Sequence, residues 1–425
     1  MELNQDERDI LEGKQGETLQ KIMKTVVEYG EMFGAKRLVP LTGASHLVTS
    51  YGMPQLEAMY DIMDEMIKNG IKAKVPFTVG PRPFDHERVK TDGGEKRSLK
   101  QLYGKQKELE EKLKALGLRD DKAFTNTPYV PEVNNKPKEG DILAWSDPSA
   151  VTFVNSVFGA RTNLNPPLID LFCAVLGKAP EYGLLTDEGR KATWNVVINT
   201  RKAPNPQILG HAIGMKAQGQ IPYIQGVDTF FGRKIEEDLY DFIQELSGVL
   251  AQFGIHQFHI DHTTPEAINQ GKNLMAENPQ VYIVDDEELA DLALSYPSPW
   301  RKQKVKPAMC IIGYPQLNLH QVEYWTTVIF RGMKMHGKHK INTPTYLCVA
   351  PEVLAKFQTN YTLKTQVEEA GIQFTTMCPL AFLKNAKTAK KPVVTNSNVL
   401  RMNANVKYYD VSELTSIIAT GRCQE

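Results

Sequence analysis

Several things are scarce or missing in this chain, and each absence narrows what it can be. Its 425 residues carry no excess of charge, with 50 Lys and Arg against 50 Asp and Glu. Without a net field, electrostatic capture of nucleic acid or of an acidic membrane surface is not supported. Apolar runs stay well short of the roughly 18 residues of a membrane span. The opening MELNQDERDI is acidic and polar, unlike a signal peptide. A cytoplasmic protein with neither nucleic acid nor membrane as partner is the expectation. Only 5 cysteines are present, scattered and without a C-x-x-C pair, which favours reduced thiols over a disulfide framework. Missing too are the dinucleotide G-x-G-x-x-G, the Walker phosphate loop, H-E-x-x-H and G-x-S-x-G. Nucleotide-dependent, zincin and α/β-hydrolase readings lose most of their support.

What is present is the texture of a globular protein, 41% hydrophobic and 24% charged, long enough for more than one domain. Apolar residues at helical spacing predict helices over 16–34 and 55–70, the second leading into a strand IKAKVPFTV. The charged stretch 95–116 reads as an exposed helical excursion. From 121 to 167 the chain turns rich in Pro, Asn, Ser and Gly, an irregular length that is usually functional when it carries this many apolar residues. After about residue 230 strand-length apolar runs (IHQFHI, VYIVDD, PAMCIIGY, PTYLCVA, IQFTTM, KPVVTN) alternate with amphipathic helices. That pattern predicts an α/β protein with parallel sheet covered by helices. We divide it into an N-terminal region, 1–230, and a C-terminal alternating β/α region, 231–425.

In such sheets ligands sit beyond the carboxyl ends of the strands. Three stretches are candidates for chemistry. NSVFGARTN, 155–163, offers Asn155, Ser156, Thr162 and Asn163 as hydrogen-bonding groups, and Arg161 as a fork for carboxylate or phosphate. A polar loop with a surface arginine would read the same way. HQFHIDHTTPEA, 256–267, brings His259 and Asp261 to one face of an extended chain. Histidine beside a carboxylate suits acid–base work, although either could simply sit satisfied at a strand end. TGASHLVTSYG, 42–52, sets His46 in a loop of small residues. Cys378, in TTMCP, lies where a strand runs out. It could be a metal ligand, a nucleophile or core filler.

Taken in order, GASHLVTSYG, TNTPY (125–129), AWSDPSAVTFVNSVFGART, APEYGLLTDEGR (179–190), HIDHTTPEA and VVTNSN resemble the large subunit of the aconitase X family. The likeness runs along nearly the whole chain. It implies an aconitase-like, multi-domain fold with parallel and mixed sheets. It also implies hydro-lyase (dehydratase) activity on a small hydroxy acid such as cis-3-hydroxy-L-proline or mevalonate 5-phosphate. A separate small swivelling subunit is implied as a partner. Family members hold an iron–sulfur cluster through three cysteines, and here the chain departs. The equivalent positions are Asn126, Tyr314 and Cys378, with Gln316 at a histidine. An amide is a poor substitute for thiolate on iron. A three-cysteine cluster is therefore not expected, and the cofactor is left unassigned. Tyr314 as phenolate with Cys378 and a histidine could hold one mononuclear metal ion instead.

The residues and the resemblance together point to His46, His259, Ser156 and Asp261 as catalytic groups. Asn155, Arg161, Thr162 and Ser397 are the expected substrate contacts, and Cys378 the expected metal contact. Two other readings stay open on the same scaffold. One is a different reaction, such as isomerisation or hydrolysis, and the other a non-catalytic binding subunit.

Overall fold

In a computed structural model the chain is described over residues 1–300 and 305–423. Thirteen strands are defined. The first four are β1 (Leu38–Pro40), β2 (His46–Leu47), β3 (Thr78–Val79) and β4 (Lys178–Pro180). Next come β5 (Ala192–Asn199), β6 (Pro222–Gln225), β7 (His259–Ile260) and β8 (Met275–Asp285). The last five are β9 (Met309–Leu317), β10 (Thr345–Val349), β11 (Gln373–Thr375), β12 (Val393–Thr395) and β13 (Val406–Tyr408). Strands β1 and β4 form a small antiparallel pair, and β2 and β3 a small parallel one.

The two larger sheets are wholly parallel. One runs β7-β6-β5-β8 and the other β11-β10-β9-β12-β13. Parallel pairing needs crossovers, and amphipathic helices provide them. The five-stranded sheet is buried on both faces. Cys310, Ile312, Leu347, Val349 and Val394 enter one core cluster, while Met309, Ile311, Tyr346, Cys348 and Val393 enter another. This alternation is the period-2 geometry of a strand covered on both sides.

The expected helices at 16–34 and 55–70 span Glu17–Met32 and Glu57–Lys68. The strand expected over IKAKVPFTV shrinks to β3, because its first residues are largely exposed and make no ladder. The excursion at 95–116 is two helices, Gly93–Tyr103 and Gln106–Leu116, each burying leucines rather than standing free. The irregular segment holds a buried helix, Pro148–Val157, capped by Asp147. The division expected near residue 230 falls inside the four-stranded sheet, whose β5 and β6 precede it and whose β7 and β8 follow.

One departure from regular pairing positions the site. Between the pairs Ile312–Leu347 and Leu317–Val349, β9 spends Gly313 to Gln316 where β10 spends Cys348 alone. The bulge throws Tyr314 and Gln316 out of the ladder. Gly313 makes it possible, with φ at +105° and an added Cβ only 2.6 Å from the Cys348 carbonyl oxygen. Strain and clash together set the expected outcome for Gly313→Ala, a loss of about 3 kcal/mol in a denaturant titration. A loss under about 0.5 kcal/mol would show that the bulge is not held by this glycine.

Candidate active site

The bulge in β9, the loop after β11 and the segment before the Pro148–Val157 helix meet in one enclosed centre. Cys378 follows β11 and is 4% exposed, its amide donating to the Arg82 carbonyl at 2.6 Å. Burial pushes its thiol up to about 11, although the amides of Ala381 and Leu380 and the Tyr51 hydroxyl all face it. Tyr51 itself is held in the left-handed region, at φ 53°. Its phenol is pushed well above the ordinary value by burial, then by the nearness of Cys378 and Asp147. Tyr314 shares the same surroundings, shifted upward by burial and by Asp147 and Cys378, with Gln252 as hydrogen-bonding partner.

Asp147 is the group in this centre whose titration falls near neutrality. Its Oδ1 caps the helix, accepting from Ser149 Oγ at 2.8 Å and from the amides of Ser149 and Ala150 at 3.1 and 3.3 Å. Burial raises the carboxyl to about 6 against those bonds. Its Oδ2 and the Tyr51 hydroxyl both face Gly80, where an added Cβ would stand 4.0 and 3.6 Å from them. A side chain at residue 80 would fill the space between the carboxyl and the phenol. Sequence reasoning passed over Tyr51, Gly80 and Asp147. Tyr51 and Asp147 lie inside stretches that were singled out for other residues, and Gly80 in a loop without a motif of its own.

An iron–sulfur cluster does not fit these residues. Asn126 Oδ1 accepts from the Gln316 amide at 2.9 Å. The Gln316 side chain accepts from Thr125 Oγ1 at 2.8 Å and from the Asn126 amide at 3.2 Å. It donates to the carbonyls of Val349 and Thr376 at 3.0 and 3.2 Å. Both amide side chains are thus spent on structure, which leaves one thiol where three are required. The mononuclear alternative fares no better. No histidine joins Tyr314 and Cys378, both protonated, and among the described residues no three His, Cys, Asp or Glu groups are placed to hold a metal ion.

The other sequence-derived candidates are dispersed. His46, on β2, is fully buried, with Nδ1 2.8 Å from Thr78 Oγ1 and no partner for Nε2. Burial lowers its imidazole to about 3, so it is neutral at pH 7 and offers no imidazolium proton. His259 belongs to a separate buried network. There Arg190, 1% exposed, grips Glu266 with both Nε and Nη2, at 2.7 and 2.8 Å. His259 Nε2 lies 2.9 Å from the Arg190 carbonyl, and burial lowers its titration. This ion pair ties APEYGLLTDEGR to HIDHTTPEA, and sequence reasoning did not single out Arg190. Asp261 accepts from the Tyr223 hydroxyl at 2.5 Å.

Asn155 donates to the carbonyls of Thr162 and His256, and its Oδ1 receives the Thr162 amide. Ser156 Oγ donates to the Thr152 carbonyl and accepts the Phe258 amide. Thr162 Oγ1 donates to the Asn163 carbonyl and accepts the Trp145 amide. These three side chains therefore fasten the irregular segment to its neighbours. Arg161 is occupied by the Leu185 carbonyl and Asp187. Ser397 caps a short helix through the Leu400 amide.

Fold and site together define an α/β protein with a buried cluster of titratable groups at the carboxyl ends of parallel strands. The family description "Aconitase X first domain" matches residues 1–188. The phosphomevalonate dehydratase large subunit of Thermococcus kodakarensis is 28% identical, over 84% of this chain and 83% of that protein. The cis-3-hydroxy-L-proline dehydratase of Pseudomonas aeruginosa is 27% identical, over 61% of this chain and 42% of that protein. The crystal structure of Thermococcus kodakaraensis aconitase X in its holo-form superposes with a TM-score of 0.80 at 26% identity, covering 98% of this chain and 99% of that one. The chain thus matches the first domain of aconitase X over residues 1–188 and is similar to these relatives along most of its length.

The Asp147 carboxyl provides a stability test. A buried acid held above its unfolded value of 3.8 stabilises the fold fully below 3.8, and that stabilisation is lost as pH rises through about 6. Asp147→Asn keeps the cap and removes the charge. It is expected to exceed the parent in stability by on the order of 3 kcal/mol at pH 8, with the gap closing below pH 4. Urea unfolding at the two pH values measures it. A gap that does not change with pH would mean Asp147 is not the buried titrating group.

Proposed function

We propose that this protein is a hydro-lyase that dehydrates a small hydroxy acid at the centre built on Asp147, Tyr51, Tyr314 and Cys378, without an iron–sulfur cluster. The names of its relatives support the reaction class. The observation that carries the site is a buried carboxyl titrating at about 6 among phenols and a thiol that stay protonated. A group poised near the working pH can accept a proton and return it.

In the reading we favour, ionised Asp147 removes the proton next to the substrate carboxylate and then delivers it to the departing hydroxyl. One carbon–hydrogen and one carbon–oxygen bond break, a carbon–carbon double bond forms, and water leaves. Tyr51 and Tyr314 supply neutral hydrogen bonds to the charge that develops on the carboxylate. His46, neutral and with Nε2 free, is assigned a hydrogen bond to substrate rather than proton donation. His259 and Ser156 are assigned to holding the loops around the centre. Relatives are named large subunits, so we also propose that a separate small subunit closes the site.

With mevalonate 5-phosphate and cis-3-hydroxy-L-proline as first substrates, kcat/KM is expected to rise through about pH 6 and then level off. Asp147→Asn is expected to lower it by about 10²–10⁴. A rate independent of pH, or a fully active Asp147→Asn, would remove Asp147 from the chemistry. No dehydration with either compound, small subunit added, would favour the isomerase, hydrolase or binding-subunit readings. Iron and acid-labile sulfide in protein purified without oxygen are expected near zero. Two or more irons per chain with sulfide would defeat the cluster-free reading.

A further inference from the structure

A second concave site lies on the β12–β13 side of the same carboxyl edge of the five-stranded sheet, and none of its lining residues belongs to the Asp147 centre. It is a cleft of about 320 Å³ beyond the carboxyl ends of β12 and β13. The helix Glu237–Leu250 forms one wall, with Asp238, Asp241 and Glu245 at the i, i+3, i+7 positions of a single helical face. Tyr324 and Trp325 on the helix Leu319–Met335 and Tyr408 at the end of β13 are among its aromatic walls. No lysine or arginine lines it.

The cleft is a built feature. Gln207, 2% exposed, accepts from the Asn398 amide at 2.8 Å and donates to Glu245 Oε2 at 3.0 Å. The loop after β12 and the acidic helix are held together through that one side chain. Asp241 is already committed, accepting from Asn318 Nδ2 at 2.6 Å and lying 2.7 Å from His320 Nδ1.

Glu245 differs. Gln207 is its hydrogen-bond donor and, among the described residues, no cation pairs with it. Burial, with Asp241 adding, raises its carboxyl to about 7. Across the cleft, the buried Asn396 Oδ1 has no donor among the described residues, while the hydroxyl of Tyr409, 4% exposed, faces the Cys423 thiol. The open acceptors are thus a Glu245 carboxylate oxygen and the Asn396 amide oxygen. A buried acceptor without a donor, as at Asn396, is costly, and a ligand that brings N–H groups would serve it and the free Glu245 oxygen together.

Inorganic cations fit poorly, because among the described residues no three carboxylate, imidazole or thiol groups converge for a metal. The volume and the aromatic walls suit a cation with an apolar body. We propose that this cleft binds a small organic ammonium ion, with its N–H groups on Glu245 and Asn396 and its hydrocarbon against Trp325 and Tyr408. The same wall repels carboxylates and phosphates. The site is therefore separate from the dehydration centre and does not depend on that reading.

Titration calorimetry of the full chain with n-butylammonium, against n-butanol as its uncharged counterpart, tests this at pH 8. The ammonium is expected to bind at least tenfold more tightly than the alcohol. Glu245→Gln should weaken it tenfold or more, the effect of losing one charge-assisted hydrogen bond. Asn396→Leu, which removes the second acceptor without touching the Gln207 bridge, should weaken it several-fold and serves if Glu245→Gln fails to fold. Equal binding of ammonium and alcohol, or an affinity unchanged in the folded variants, would overturn the proposal.

Discussion

The amide of Gln316 is the junction on which this molecule's centre depends. One side chain, fully buried, bonds to Thr125 and Asn126 in the irregular segment, to Val349 at the end of β10 and to Thr376 after β11. These segments are far apart in the chain, and each would otherwise leave a buried polar group unpaired. Satisfying them with one neutral amide replaces what a metal cluster would do mechanically, which is to pin three loops to a common point. Once Asn126 and Gln316 are locked to each other, neither is available as a ligand. The chemistry of the centre then shifts to whatever else faces it.

What faces it is a set of protonated groups and one carboxyl. Burial raises Tyr51, Tyr314 and Cys378 away from ionisation, while the helix amides on Asp147 Oδ1 limit how far that carboxyl climbs. Desolvation and hydrogen bonding oppose one another at Asp147, and the balance leaves it titrating near neutrality. Glu245 shows the same competition in the second cleft, with Gln207 as the opposing bond. A chain without net charge therefore keeps two carboxyls whose charge is set locally.

The Arg190–Glu266 pair works differently. It is bidentate, almost fully enclosed and supplemented by Gln257 and by the carbonyls of Leu184 and Asn155. Such a pair gains its worth from being fully satisfied, since either partner alone would be a buried uncompensated charge. It holds His259 in place, so a histidine that reads as an acid–base residue beside a carboxylate is occupied as a structural contact.

The parallel β/α architecture was legible in the sequence, because strand-length apolar runs and amphipathic helices carry their own periodicity. So were the segments that meet at the centre, and the departure at Asn126 and Tyr314, because a residue's chemistry is visible without coordinates. Strand β5 escaped notice, since its alternation of buried and polar residues makes sense only between β6 and β8. Tyr51, Gly80 and Asp147 escaped for a related reason. Their roles rest on a bulge in β9, a left-handed tyrosine and a helix cap that bring residues 51, 80, 147, 314 and 378 to one place. Sequence determined which groups exist, including an amide at 126 and a phenol at 314. Only tertiary structure decided which of them are buried together, and burial is what sets their protons.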